Sequence, residues 1–479
     1  MKLKKRLFSL ALTIAMVLSI LPLSGIGASA SYTAKFQFDA KGKFTVMQLA
    51  DIQDNQSVEP RAIALITNMI ARYNPDLIVF TGDNVTGGLN SSNFQSSVNQ
   101  FTQPIINAGI PFVVTFGNHD DESGAPSKDT QYNYYKSRGG NLFVDHDIPT
   151  LTGAGNGVVP IYPNGQTTGD PAFQVYVMDS GSYASSGGYD CPYTDQIDYY
   201  IQNSQAYPTV PSLWFMHIII PDVFYETMTT TNNGTTGRSG NGSAFGSSTY
   251  YLQADKINWA KSGQATTIAE MYKELPCPAK PATYTSTAHK SSPTYGSKTL
   301  YESWVAYGNM LGSYYGHDHQ NSFVTTTQHG IDIGFGKSAG KSSYNDNNPG
   351  ARIYELDVNG TYSTHNVTES DLTKAQIFFD ANGGTGEMIP QFITKSSSAN
   401  IKANAYTKTS STFLGWATSP TGNVVYANGA NYSIGSVDAT LYAKWTATSN
   451  ITFNAGGGTG GTGPTTMAVG AALTAPAVT

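Results

Sequence analysis

The chain has 479 residues, more than one ordinary domain needs, so two or three domains are expected. Charged residues make up only 13%, and 33 acidic against 27 basic residues give a formal net charge of −6. With no basic excess, a groove that holds nucleic acid by the protein's own charge is excluded, and the low charge with 49 Gly and 30 Tyr suits an exported protein.

Lys2, Lys4, Lys5 and Arg6 precede an apolar run from Leu7 to Leu23, and Ala28-Ser29-Ala30 follows as a small-residue cleavage site. This reads as a secretory signal peptide over residues 1–30, the alternative being an uncleaved anchor. No later segment is apolar and long enough to span a bilayer. Export permits a disulfide between Cys191 and Cys277, although two free thiols fit equally well. No Cys-x-x-Cys pair is present, which excludes a thiolate zinc site.

Phe44 to Ala50 predicts a strand that ends at Asp51. Pro60 can open a helix, and Ile63, Ile66, Ile70 and Tyr73 repeat at helical spacing until Asn74-Pro75 stops it. Leu77 to Phe80 is the next buried strand, ending at Gly82-Asp83-Asn84. Strand, helix and strand make a right-handed βαβ unit, so Asp51 and Asp83 reach the same sheet edge. A helix near Gln95 to Ala108 then leads to the apolar run Ile110 to Phe116 and to Gly117-Asn118-His119-Asp120. Phe173 to Met178 predicts a strand, Tyr193 to Gln205 a helix, and Ser212 to Ile220 a strand interrupted by His217. Residues 229–250, rich in Thr, Asn, Gly and Ser, read as a surface insertion. Tyr301 to Tyr315 leads into Gly316-His317-Asp318-His319, after which Ser322 to Thr326, Ile331 to Phe335 and Ile353 to Val358 read as strands.

From about Lys374 the texture changes. Ile377-Phe378-Phe379-Asp380-Ala381-Asn382-Gly383-Gly384 recurs from Ile451, an internal repeat in which Phe378 and Phe453 are 75 positions apart. Phe413-Leu414-Gly415-Trp416 and Tyr442-Ala443-Lys444-Trp445 add alternating aromatics, so residues 374–446 are expected to form a small all-β module. Residues 449–479 make a partial second copy, which either cannot fold independently or belongs to a longer chain.

Asp51, Gln53, Asp83, Asn118, His119, His217, His317 and His319 all stand at or just beyond the carboxyl ends of expected strands. They offer only oxygen and imidazole nitrogen, a set suited to Mn²⁺, Zn²⁺ or Fe. They are too many for one tetrahedral ion and suit two divalent ions about 3.5–4 Å apart, bridged by one carboxylate. Asp120 and Asp318 are expected to orient the histidines beside them, Asp179 to be structural, and His146, His289, His329 and His365 to be ordinary surface or loop residues. The glycine runs at 383–386 and 455–463 lack the lysine of a phosphate loop.

Five blocks in this order, Asp51-Ile52-Gln53, Gly82-Asp83-Asn84, Gly117-Asn118-His119-Asp120, His217 and Gly316-His317-Asp318-His319, resemble the calcineurin-like metallophosphoesterase superfamily over roughly residues 40–365. The Gly-His-Asp-His block and Phe215-Met216-His217-Ile218 with Pro221 look like its purple-acid-phosphatase-29/Dcr2-type branch. The resemblance implies an α/β fold over residues 31–370: an α+β, four-layer β-sandwich flanked by helices. It implies that Asp51 and His319 bind the first metal, that Asp83 bridges, and that Asn118, His217 and His317 bind the second. His119 would sit over the substrate, stabilising the transition state or protonating the leaving alkoxide. The family's first block usually reads Asp-x-His; here Gln53 replaces the histidine and is expected to bind through its amide oxygen, favouring manganese. No tyrosine follows Asp83, so the purple iron chromophore is not expected. The tail resembles the Listeria–Bacteroides type of β-repeat of Gram-positive surface proteins, implying a β-grasp-like spacer or adhesive module that meets a cell-wall or surface ligand.

The expectation is therefore a secreted enzyme, in a Gram-positive bacterium held at the cell surface, that hydrolyses phosphate esters with a hydroxide activated by two metal ions. The alternatives are a diesterase or nucleotide pyrophosphatase with the same core, and a non-catalytic adhesin with a relic phosphoesterase domain.

Overall fold

The computed structural model describes residues 32–184, 189–220, 299–319, 321–340, 347–386, 388–451 and 465–468, with short pieces between 228 and 261. The predicted signal peptide, Cys277 and His289 lie outside the described residues. Among those residues no helix is long and apolar enough to cross a membrane.

The chain opens with β1 (Phe36–Gln37), β2 (Lys43–Leu49), α1 (Pro60–Tyr73), β3 (Leu77–Thr81), α2 (Ser91–Ala108), β4 (Phe112–Thr115) and α3 (Lys128–Gly139). It continues through β5 (Gly157–Tyr162), β6 (Phe173–Val177), α4 (Thr194–Ala206), β7 (Ser212–Phe215), β8 (Met228–Thr229), β9 (Arg238–Ser239) and β10 (Thr249–Leu252). Then come α5 (Leu300–Tyr307), β11 (Met310–Tyr315), β12 (Val324–Thr326), β13 (Asp332–Phe335), β14 (Gly350–Asp357) and β15 (Tyr362–Thr368). One five-stranded sheet runs β15-β14-β2-β3-β4, and a seven-stranded sheet runs β1-β5-β6-β7-β11-β13-β12. Strands β2, β3 and β4 are mutually parallel, as are β6, β7, β11 and β13.

The two-residue period of each strand sorts its side chains into layers. Val46, Leu77, Val79 and Val113 meet Val175, Leu213, Phe215 and Tyr314 between the two sheets. Their neighbours Met47, Leu49, Ile78, Phe80 and Val114 face α1, α2 and α3. On the far side, Tyr176, Trp214 and Met216 pack under Ile197, Tyr200 and Trp304 of α4 and α5. Strands covered on both faces read as continuous apolar runs, which is why these segments stand out in the sequence. The result is the expected order of helix, sheet, sheet and helix.

Several local expectations change. Helix α2 begins at Ser91, because Asn90 accepts from the Asn93 amide as its cap, and Pro104 lies within it. The strand at 212 ends at Phe215, so His217 stands beyond it rather than inside it. Helix α3 and strands β5 and β15 had no clear signal. Part of the 229–250 insertion pairs, in the order β8-β10-β9. His146 and His365 are buried rather than superficial, while His329 is exposed in a turn. His146 is held between the Val144 and Gly155 carbonyls, and His365 lies on β15 against Tyr73.

The tail is all-β as expected: β16 (Lys374–Asp380), β17 (Gln391–Thr394), β18 (Ser398–Asn400), β19 (Ser411–Ala417), β20 (Asn431–Ser433), β21 (Ala439–Ile451) and β22 (Thr465–Ala468). Strands β16 and β21 pair in parallel over a core of Ile377, Trp416 and Leu441. The repeat offset is 74 positions rather than 75. The β16–β17 ladder starts at Lys374↔Thr394 and the β21–β22 ladder at Thr448↔Ala468, each later partner displaced by that amount. The last strand of one copy thus continues as the first strand of the next.

Arg72 ties the module to the larger domain. From the end of α1 it reaches Asp438 at 2.9 Å, the Gln376 side chain at 3.2 Å and the Lys374 carbonyl at 3.0 Å. Arg72→Ala is expected to weaken this junction by about 2–4 kcal/mol. Faster tryptic cleavage around Lys374 would show it, and an unchanged cleavage rate would contradict it.

Burial, reinforced by Arg352 and Lys402, holds the His365 pKa down to about 3. The unfolded chain takes up this proton near pH 6.5, and the native state does not until much lower pH. Native stability associated with His365 is therefore complete above pH 6.5 and falls by about 1.4 kcal/mol per unit as pH drops below it. Denaturant melts of His365→Asn between pH 6.5 and 4 should show a slope shallower by that amount.

Candidate metal centre

Each predicted residue leaves a strand at the edge where both sheets end. Asp51 follows β2, Asp83 follows β3, Asn118 and His119 follow β4, His217 follows β7, and His317 and His319 follow β11. The structure brings all of them together with Gln53. Asp51, Asp83, Asn118, His217, His317 and His319 are almost fully buried.

The backbone turns abruptly there. Asp51, Gln53, Asp83 and His317 have φ of 51°, 43°, 46° and 72°, the left-handed region that costs a non-glycine residue about 1–3 kcal/mol. These bends are cross-braced. The His317 amide donates to Asp51 Oδ1 at 2.8 Å, the His119 amide to Asp83 Oδ1 at 2.8 Å, and the Gln53 amide to the Asp83 carbonyl at 2.8 Å. Gly117 is required by contact: a Cβ there would stand 2.2 Å from Asp83 Oδ1 and 2.6 Å from the His217 ring.

Two groups of donors converge. Asp83, His217 and His317 form one, and Asp51, Asp83 and His319 form the other, each with its ligand atoms within 4.8 Å of one another. Asp83 belongs to both. His217 donates from Nδ1 to the Thr81 carbonyl at 2.9 Å, which leaves Nε2 facing Asp83 Oδ2 at 3.2 Å and Asn118 Oδ1 at 3.3 Å. Metal bonds of about 2.0–2.2 Å place neighbouring ligand atoms on one ion roughly 3 Å apart, so this trio is spaced as ligands are. Asn118 Nδ2 donates to the Tyr183 hydroxyl at 2.9 Å, directing Oδ1 inward.

A cation fits this donor set. Asp51 Oδ2 and the Gln53 amide oxygen are buried acceptors with no hydrogen-bond partner among the described residues. Among those residues the ion pairs of Asp51 and Asp83 are with histidines only. Burial, with the Asp83 charge, pushes Asp51 up to about 8. Burial disfavours charge on His217, yet Asp83 and Asp51 outweigh it and raise its pKa to about 9. Burial also opposes the Asp83 charge, but His217 holds Asp83 below the usual carboxylate range.

The expected role of Asp120 needs correction. Asp120 accepts from the Gly117 and Asn84 amides at 2.8 and 3.1 Å, and so braces two ligand loops instead of orienting His119. Asp318 accepts from the Asn321 amide at 3.1 Å. The carboxylate that meets His119 is Glu122, 2.8 Å from Nδ1, and Tyr183 joins Glu122 to Asn118. Glu122 was legible in principle, three residues from His119 and one helical turn away; Tyr183 carried no local signal. Tyr189 is a further unforeseen neighbour, its ring 4.2 Å from that of His317. Asp179 is structural as expected, paired with the partly buried Lys128 at 2.9 Å.

With Asp51 and His217 both raised, binding of a cation is expected to displace protons from them. Apparent metal affinity should therefore fall about tenfold per pH unit for each displaced proton between pH 8 and 6. Titration calorimetry in two buffers of different ionisation enthalpy would count the protons. Metal at a hundred times its dissociation constant should raise folding stability by about 2.7 kcal/mol, a gain that Gly117→Ala should lose.

Residues 44–321 match the family model described as calcineurin-like phosphoesterase, and residues 376–444 match the Listeria–Bacteroides repeat domain. The chain is 24% identical to "Probable inactive purple acid phosphatase 14" of Arabidopsis thaliana over 71% of this chain and 81% of that one. It is 29% identical to "Probable inactive purple acid phosphatase 29" of the same plant over 43% and 61%. It is 26% identical to phosphatase DCR2 of Saccharomyces cerevisiae, over 39% of this chain and 36% of that protein. Among solved structures, TT1561 of Thermus thermophilus aligns over 67% of this chain and 98% of that one, at 9% identity and a TM-score of 0.33. The family match covers more than half of the chain, and the chain belongs to the calcineurin-like phosphoesterases, with a Listeria–Bacteroides repeat behind the phosphoesterase domain.

Proposed function

We propose that this chain is a secreted, metal-dependent hydrolase of phosphate esters that works with two divalent cations. The observation that carries this reading is the membership of Asp83 in both ligand groups, the arrangement a bridging carboxylate needs. Asp51, Gln53 and His319 would hold a first ion, Asn118, His217 and His317 would hold a second, and Asp83 would serve both. When bound, the ions lower the pKa of a water towards neutrality and offset the charge of the phosphoryl group. The positive centre thereby lets an acidic protein attract an anionic ester.

The chain's own residues arrange the remainder. The His119 ring is one-third exposed, with Nε2 4.0 Å from Asp83 Oδ2, so it stands between the buried ligands and solvent. From there it can donate a proton to the departing alkoxide, a contribution of about 10²–10⁴ in rate. The repeat serves as a spacer or adhesive module that holds the enzyme near a cell-wall or surface ligand. Gln53 in the first block also supports a second reading, a relic site on an adhesin, in keeping with the names that two of the plant relatives bear.

The test uses the full chain, stripped by chelator and reloaded separately with Mn²⁺, Zn²⁺ or Fe²⁺. Metal-dependent turnover of p-nitrophenyl phosphate over the bis ester would mark a monoesterase, and the reverse a diesterase. Asn118→Ala and His317→Ala are expected to lower kcat at least about 10³-fold while the protein stays folded. Full activity in either variant contradicts the ligand assignment, and inactivity of the folded wild type with every metal favours the adhesin.

A further inference from the structure

We propose that Glu122 is the positioning residue of His119, held in place by Tyr183 and by the space that Gly87 leaves open. Three elements converge on this carboxylate. Glu122 directly follows the 3₁₀ turn His119–Asp121, and its Oε1 lies 2.8 Å from His119 Nδ1. The Tyr183 hydroxyl donates to the same oxygen at 3.0 Å while accepting from Asn118 Nδ2 at 2.9 Å. The other oxygen rests against Gly87, on the loop after β3, where a Cβ would fall 1.6 Å from Oε2.

The consequence is directional. With Nδ1–H donating to Glu122, the ring is held in one orientation and Nε2 is the nitrogen turned towards Asp83. An exposed pair of this kind adds little to folding stability, since each side chain is one-third exposed and screened. Its effect falls instead on the proton that the leaving group needs. Hydrolysis breaks the P–O bond to the alcohol as the oxygen of water forms the new one; the imidazolium form of His119, with Nδ1–H on Glu122, passes its Nε2 proton to the departing oxygen, is left as the neutral Nδ1–H tautomer, and regains a proton from the water consumed. A good leaving group such as p-nitrophenolate departs without that proton, whereas a simple alkoxide requires it.

The inference rests on the phosphoesterase reading, and its test separates the two. Glu122→Ala should lower kcat on an alkyl phosphate about 10–100-fold, part of the 10²–10⁴ that a general acid supplies. On p-nitrophenyl phosphate the loss should stay within about threefold, with bound-metal stoichiometry unchanged. Gly87→Ala, whose new Cβ displaces the carboxylate, should reproduce the same bias, and the double variant should be no worse than either single one. Equal losses on both esters, or additive losses, would overturn the assignment. Independently of turnover, ¹⁵N-histidine spectra of the chelator-treated protein, with His119 assigned by its absence in His119→Asn, should show the Nδ1–H tautomer, which Glu122→Ala abolishes. A wild-type His119 with its proton on Nε2 alone would refute the positioning role even if the chain hydrolyses neither ester.

Discussion

Everything at this site follows from placing two carboxylates where water cannot reach them. Asp51 and Asp83 are each 1% exposed, at the seam between two sheets whose interior is apolar. Unpaired burial of an ionised carboxylate costs several kcal/mol, and the described surroundings offer histidines rather than Lys or Arg as compensation. A proton on Asp51 relieves that cost only by removing its charge. A cation relieves it while leaving both carboxylates ionised, and also satisfies the unpartnered Asp51 and Gln53 oxygens. Affinity for a cation and stability of the fold are therefore coupled through the same two carboxylates.

The fold supplies the constraint that makes such burial achievable. Parallel strands in both sheets bring their carboxyl ends to one edge, and the apolar contact between the sheets sets how closely those edges approach. Side chains cannot correct a misplaced edge by more than a fraction of an ångström here, because the loops touch at backbone level. The His317 amide bonds to Asp51 and the His119 amide bonds to Asp83, so each loop of one element is braced by the carboxylate of another. Displacing β11 relative to β2 would move a ligand and break a hydrogen bond together.

Much of this was legible because burial on both faces writes continuous apolar runs into β2, β3, β4, β6 and β7, and because the ligands follow those runs directly. The elements that escaped notice lack that signature. Helix α3, Lys128–Gly139, has an almost wholly polar sequence and is anchored by Lys128 through its pair with Asp179. Strand β15 reads Tyr-Ser-Thr-His-Asn-Val-Thr, and only its register against β14 explains why polar His365 is inside. Asp120 was misassigned for a related reason. Adjacency to His119 in sequence suggested contact, but the turn directs Asp120 towards the Gly117 and Asn84 amides and brings Glu122, three residues on, to the imidazole. Tyr183 lies 65 positions from Asn118, and nothing local could have joined them.

The departure at position 53 becomes intelligible from the same backbone geometry. A side chain held only by its rotamer would be sensitive to exchange of imidazole for a longer, more flexible amide. Gln53 instead sits in a left-handed conformation with its amide hydrogen bonded to the Asp83 carbonyl, so its Cα is placed by the bridging residue's own loop. The backbone thus fixes the position and direction from which the Gln53 side chain leaves the loop. That side chain's oxygen is buried with no hydrogen-bond partner among the described residues, a neutral acceptor presented from a backbone that the neighbouring loop has already fixed.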